Sequence, residues 1–123
     1  MDYALQAESP SYSKDFLEKL KSFHNIIYLK DDFGKISNEI TFEVVGGHVP
    51  FQQVFWIKEN EETAFFGADN LPQLNYLKYH AAFKNDVDGT KAMNDRMDWA
   101  ERASTEHWTV LFYHGKKTAF KKF

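Results

Sequence analysis

Residues 39–66 read EITFEVVGGHVPFQQVFWIKENEETAFF, and this stretch decides the fold. From Glu39 the side chains alternate, with Ile40, Phe42 and Val44 on one face and Thr41 and Glu43 on the other. Strict alternation over this length is the pattern of a half-buried strand. Gly46-Gly47 breaks it, because glycine supplies backbone conformations that a strand does not use. After Pro50, Val54-Phe55-Trp56-Ile57 is apolar on both parities, which predicts a strand covered on two faces. Glu59-Asn60-Glu61-Glu62 then turns the chain back into Thr63–Phe66. Three strands joined by short turns make an antiparallel meander.

Downstream, Gly67–Asn70 leads toward a helix with Pro72 in its first turn, predicted to run to about Phe83. On that helix Leu71, Leu74, Leu77 and Ala81 share one face, while Tyr76, Tyr79 and Phe83 form a second apolar stripe nearly opposite. Asn85–Gly89 interrupts the helix, and Asp88 is placed to cap another over Gly89–Ala103. Trp108–Tyr113, a turn at His114–Lys117 and Thr118–Phe123 predict a closing hairpin with its first strand central.

Upstream, residues 1–8 read as a flexible lead-in. Ser9-Pro10 gives a cap and a first-turn proline for a helix over residues 10–24, with Tyr12, Phe16, Leu20, Phe23 and Ile27 on one side. Ile26–Leu29 reads as a short buried strand closed by a turn at Asp31–Gly34. The whole is a single α+β domain, residues 1–123. It has a mostly antiparallel sheet of five to six strands, an N-terminal helix, and a helical pair inserted before a C-terminal hairpin.

The chain holds 12 Phe, 6 Tyr and 3 Trp in 123 residues. A compact protein of this mass exposes about 6,800 Å² and removes about 14,000 Å² from water on folding. Burying 21 aromatics at roughly 200 Å² each needs about 4,200 Å², so their number fits one core. Cysteine is absent, which excludes a disulfide framework and thiolate chemistry. No basic-then-apolar start marks a signal peptide, and no apolar run has the length of a membrane helix. The expectation is a soluble, cytoplasmic domain without membrane contact.

The formal net charge is −3, which gives no general attraction to nucleic acid. Four lysines (Lys116, Lys117, Lys121, Lys122) and no acid fall in residues 114–123. They read chiefly as protection of an edge strand, with weak phosphate contact as the lesser alternative.

Motifs for chemistry mostly fail. Asp86-Val87-Asp88-Gly89 resembles part of a calcium loop, but Lys84 would stand at the first ligand position and Asp95 at the twelfth. His107-Trp108-Thr109 has the spacing of a two-histidine phosphoesterase strand but lacks a second such motif. No local histidine pair suits zinc, and no glycine loop suits phosphate. No metal and no cofactor is expected.

Arg96 falls within the apolar arc of the Gly89–Ala103 helix, among Ala92, Met93, Met97, Trp99, Ala100 and Ala103. It either reaches past the alanines to water, pairs with a carboxylate such as Glu39 or Glu43, or holds an anionic ligand.

Two functions follow. The first is a non-enzymatic protein-binding domain, of inhibitor, immunity or anti-defence type, whose partner surface is Tyr76, Tyr79 and Phe83 and which can self-associate into a homo-oligomer. The alternative is a small hydrolase or phosphoesterase with His107 or His48 as base and Arg96 as anion contact.

Overall fold

The computed structural model describes residues 2–8 and 12–123. The chain divides into two compact units, Met1–Lys30 and Asp31–Phe123. In the first, the stretch expected as a lead-in carries helix α1, Asp2–Gln6. Helix α2 spans Lys14–Lys21, and its N-cap is Ser13, whose side chain accepts the Phe16 N–H. The cap expected at Ser9-Pro10 lies outside the described residues. Residues 26–29, expected as a buried strand, form no strand, and Ile27 is 86% exposed.

The second unit is built on a six-stranded sheet in sequence order. Its strands are β1 (Phe33–Lys35), β2 (Ile40–Val44), β3 (Gln53–Glu59), β4 (Glu62–Phe66), β5 (Thr109–Leu111) and β6 (Phe120–Lys122). The first edge strand begins at Phe33, where the sequence suggested a turn. Phe33 pairs with Glu43 and Lys35 with Thr41. The meander β2–β3–β4 is antiparallel as its alternation predicts, with Thr41 opposite Trp56 and Trp56 opposite Phe65. The expected α+β architecture and closing hairpin are present.

One pairing departs from the antiparallel pattern. β4 and β5 run parallel, with Phe65 beside Val110. Parallel neighbours need a crossover, and here it carries a 3₁₀ turn (Ala68–Asn70), helix α3 (Asn75–Lys78) and helix α4 (Gly89–Thr105). Asp88 caps α4 as expected, accepting the Lys91 N–H at 2.9 Å.

Helix α3 is a single turn, and the two-faced helix expected from Pro72 to Phe83 does not form. Leu74 supplies no side-chain cap, and the backbone is already extended at Tyr79. A one-turn helix has little intrinsic stability, so tertiary contacts decide the path. The chain instead folds back until Tyr76 and Phe83 stack at 3.8 Å between ring centroids.

The core lies on one face of the sheet. Val54, Trp56, Phe65 and Val110 meet Trp99 and Ala103 of α4, with Trp108 between them. Phe65 is the hub, 4.9 Å from Trp99, 5.1 Å from Trp56 and 5.3 Å from Trp108 between centroids. The aromatics are not all hidden, although their number would fit. Phe16, Phe23, Phe33, Phe51, Tyr79, Tyr113 and Phe120 are exposed. Among the described residues no helix is long and apolar enough to cross a membrane.

Candidate functional site

The sheet register brings three connections to one end of the sheet. β2 ends there, β3 starts there, and β4 and β5 both end there. Segments 45–52, 67–74 and 112–119 are therefore neighbours. Chain exits from adjacent parallel strands are favoured places for sites, because both deliver loop residues to one crevice.

The β4 exit carries Asp69 and the β5 exit carries Tyr113 and His114. Asp69 follows Ala68, which holds a left-handed backbone at φ +46°. A non-glycine residue there costs free energy, so the surrounding structure enforces this turn. Tyr113 O–H donates to Oδ1 of Asp69. Nε2 of His114 lies 3.5 Å from the same oxygen. The Tyr113 and His114 rings sit 4.0 Å apart, and Phe66 packs against Tyr113 at 5.8 Å. The His114 backbone N–H donates to the Pro72 carbonyl at 3.1 Å, which fixes the loop. Partial burial of the hydroxyl beside Asp69, the bond to Asp69 and the Asp69 charge all push the phenol of the otherwise exposed Tyr113 up, so it stays a proton donor.

Beneath this cluster is a buried polar knot. The Asn70 side chain is fully enclosed; its Oδ1 accepts the His48 N–H and its Nδ2 donates to the Gly46 carbonyl, each at 2.7 Å. Arg96 Nε donates to the Asn70 carbonyl at 2.6 Å. Its two terminal nitrogens grip Asp86 at 2.9 and 3.1 Å, and its guanidinium lies 4.9 Å from both the Tyr76 and Phe83 ring centres. Nδ1 of His48 is 3.3 Å from Asp86. Burial works against the Asp86 charge. The Arg96 bond, the Phe83 N–H, the Arg96 charge and the His48 contact outweigh it and hold the carboxyl below its ordinary value.

These contacts reassign the residues singled out from sequence. Of the alternatives raised for Arg96, the structure shows pairing with a carboxylate, and the mate is Asp86, not Glu39 or Glu43. Arg96 is 1% exposed and steadies the turn that presents Asp69. Tyr76 and Phe83 are half-buried against it, and Tyr79 alone of that stripe is exposed. His48 is committed to Asp86. His107, exposed with φ +56°, closes α4: the next residue's N–H, that of Trp108, reaches back to the Ala103 carbonyl at 3.0 Å. That is a helix-stop geometry usually given to glycine.

Asp69, Tyr113 and His114 were not distinguishable in the sequence as a site. Their separation hides them, and only the parallel β4–β5 pairing joins them. Asp86 and Asn70 were hidden too, since a turn-capping acid and a loop amide are commonplace.

No protein-family model and no curated protein sequence matches the chain. Solved structures do. A probable metal-dependent hydrolase from Staphylococcus aureus superposes with TM-score 0.73 at 16% identity, over 77% of this chain and 34% of that one. An N-acyl homoserine lactone hydrolase, with its product at the catalytic metal center, gives 0.73 at 16% over 94% and 44%. The hydrolase AbOPH, in the beta lactamase superfamily, gives 0.59 at 16% over 73% and 35%. The chain thus spans between a third and a half of the length of these proteins.

A metal is implied by two of those descriptions, and the residues here do not fit one. Among the described residues no group of three or more His, Asp, Glu or Cys side chains is placed to hold an ion. The likeness runs against the expectation of a non-enzymatic, inhibitor-type protein-binding domain, because the three solved structures named above are described as hydrolases.

Proposed function

We propose that this chain is a hydrolase module that cleaves a small carboxylic ester or lactone by general-base attack of water. The observation that carries the reading is the Asp69–His114 pair at the exits of two parallel strands, with Tyr113 bound to the same carboxylate oxygen. The fold likeness to hydrolases, one of them acting on a lactone, supports the reaction class.

Asp69 faces Nε2 of His114 and so favours the tautomer with its proton there, leaving Nδ1 as base. Nδ1 takes a proton from water as the water oxygen bonds to the acyl carbon. The tetrahedral adduct then expels the alcohol oxygen, which receives that proton from His114. The products are an acid and an alcohol, or a hydroxy acid from a lactone. The 3.5 Å separation of Asp69 and His114 is of the loose kind seen before substrate binds.

The test is hydrolysis of p-nitrophenyl esters and acyl lactones by the full chain. His114→Ala and Asp69→Asn should each lower kcat by about 10²-fold or more while circular dichroism is unchanged. Full activity in His114→Ala, or none in the parent protein, rejects the reading.

A further inference from the structure

Donor count and donor engagement both run against a resident metal at this sheet end. Catalytic zinc sites use about three protein ligands plus water. Here Asp69 and His114 are two, and no further His, Asp, Glu or Cys joins them among the described residues. The residues outside that set are Met1, Ser9, Pro10 and Ser11, none of them of those types.

Several of the donor atoms are also engaged. Oδ1 of Asp69 receives the Tyr113 hydroxyl and faces His114 Nε2. The other histidine at this end, His48, is turned to Asp86, and Asp86 is held by both terminal nitrogens of Arg96. Recruiting Asp86 to a metal would break a buried ion pair and leave the Arg96 charge unpaired, which is strongly destabilising, and recruiting His48 would forfeit its contact with Asp86. A divalent cation would also be repelled by that guanidinium.

We infer that this chain carries a metal-free form of the site, in which Asp69 is the hub of a triad, accepting a hydrogen bond from Tyr113 and lying 3.5 Å from His114. The chemistry rests on the hydrolase reading; the statement about metal stands apart from it. In this arrangement Asp69 is a positioning residue, orienting the imidazole through one contact and the phenol through the other.

The full chain, stripped with a chelator, is titrated with zinc chloride by calorimetry while its imidazole resonances are followed by NMR. The expected result is no stoichiometric heat and no saturable shift of the His114 signals, in the parent protein as in Asp69→Asn. Uptake of one equivalent that is abolished by Asp69→Asn or His114→Ala overturns the inference. Ester hydrolysis is measured in parallel with chelator and with zinc. Equal rates support a metal-free site. Hydrolysis that appears only with zinc overturns it and leaves the hydrolase reading standing. If neither condition gives hydrolysis, the hydrolase reading fails and the zinc titration still decides the metal question.

Discussion

Arg96 on α4 and Asp86 in the preceding turn face each other through two hydrogen bonds, at 2.9 and 3.1 Å, with both side chains withdrawn from solvent. The pair ties the α3–α4 connection to the 3₁₀ turn, because the same guanidinium holds the Asn70 carbonyl. The charge that looked free for a ligand is spent inside the fold.

Removing one member leaves the other charged and buried. Asp86→Asn or Arg96→Met should each lower unfolding free energy by about 3–5 kcal/mol. Replacing both at once should cost less than the sum of the two. Urea denaturation of the two single variants and the double variant checks this; an additive cycle would show that the residues do not act as a pair.

Asp86 also sets an acid limit. Its carboxyl is held below the ordinary value when folded, against the effect of burial, by Arg96, the Phe83 N–H and His48. A depressed folded value means the stabilisation is complete above the unfolded carboxylate value and is lost as pH falls through the folded one. Tryptophan fluorescence followed during acid titration should show a steep loss of stability in that window. Asp86→Asn should be less stable at neutral pH and flatter there.

Tyr113 gives the opposite sign. Partial burial and Asp69 raise its phenol above the ordinary tyrosine value. Its contribution is present below that ordinary value and fades as pH rises toward the folded one. Alkaline difference absorbance at the normal onset should have the same amplitude in the parent protein as in Tyr113→Phe. Asp69→Asn should return that tyrosine toward the normal range.

Two buried tryptophans should respond differently to Phe. Trp108 donates its indole N–H to Glu106 at 2.9 Å, whereas the Trp56 indole nitrogen is buried with no partner among the described residues. Trp108→Phe forfeits a bond to a charged group, worth about 1.5–3 kcal/mol, on top of lost packing. Trp56→Phe loses packing but also removes an unsatisfied donor, so its cost should be clearly smaller. Equal losses in thermal unfolding would contradict the hydrogen-bond assignment.

Gly47 is the tightest backbone position in the polar knot. Its φ is +88°, and a Cβ would stand 3.0 Å from Asn70 Nδ2 and 3.1 Å from Ala92 Cβ. Gly47→Ala should cost more than about 1 kcal/mol, with the thermal midpoint falling by several degrees.

The sequence made the meander legible because period-2 alternation from Glu39 and the double-sided apolar run at Val54–Ile57 depend on local chemistry. The α4 cap at Asp88 was legible for the same reason. The helix expected through Tyr79 was not real: its periodicity was genuine, but Arg96 drew Tyr76 and Phe83 together by another route. The site was the least legible part. Nothing near Asp69 in sequence points to His114, and the histidine that did carry a suggestive motif, His107, turned out to end a helix.

The parallel pairing of β4 with β5 has a kinetic consequence. Tyr113 and Asp69 are 44 positions apart, and their bond requires that the whole crossover be closed. Closing a long loop is entropically costly before any contact rewards it. The Tyr113–Asp69 bond therefore reports native topology itself: its absorbance signature should appear only with the last phase of refolding, after the β2–β4 meander and α4 have formed.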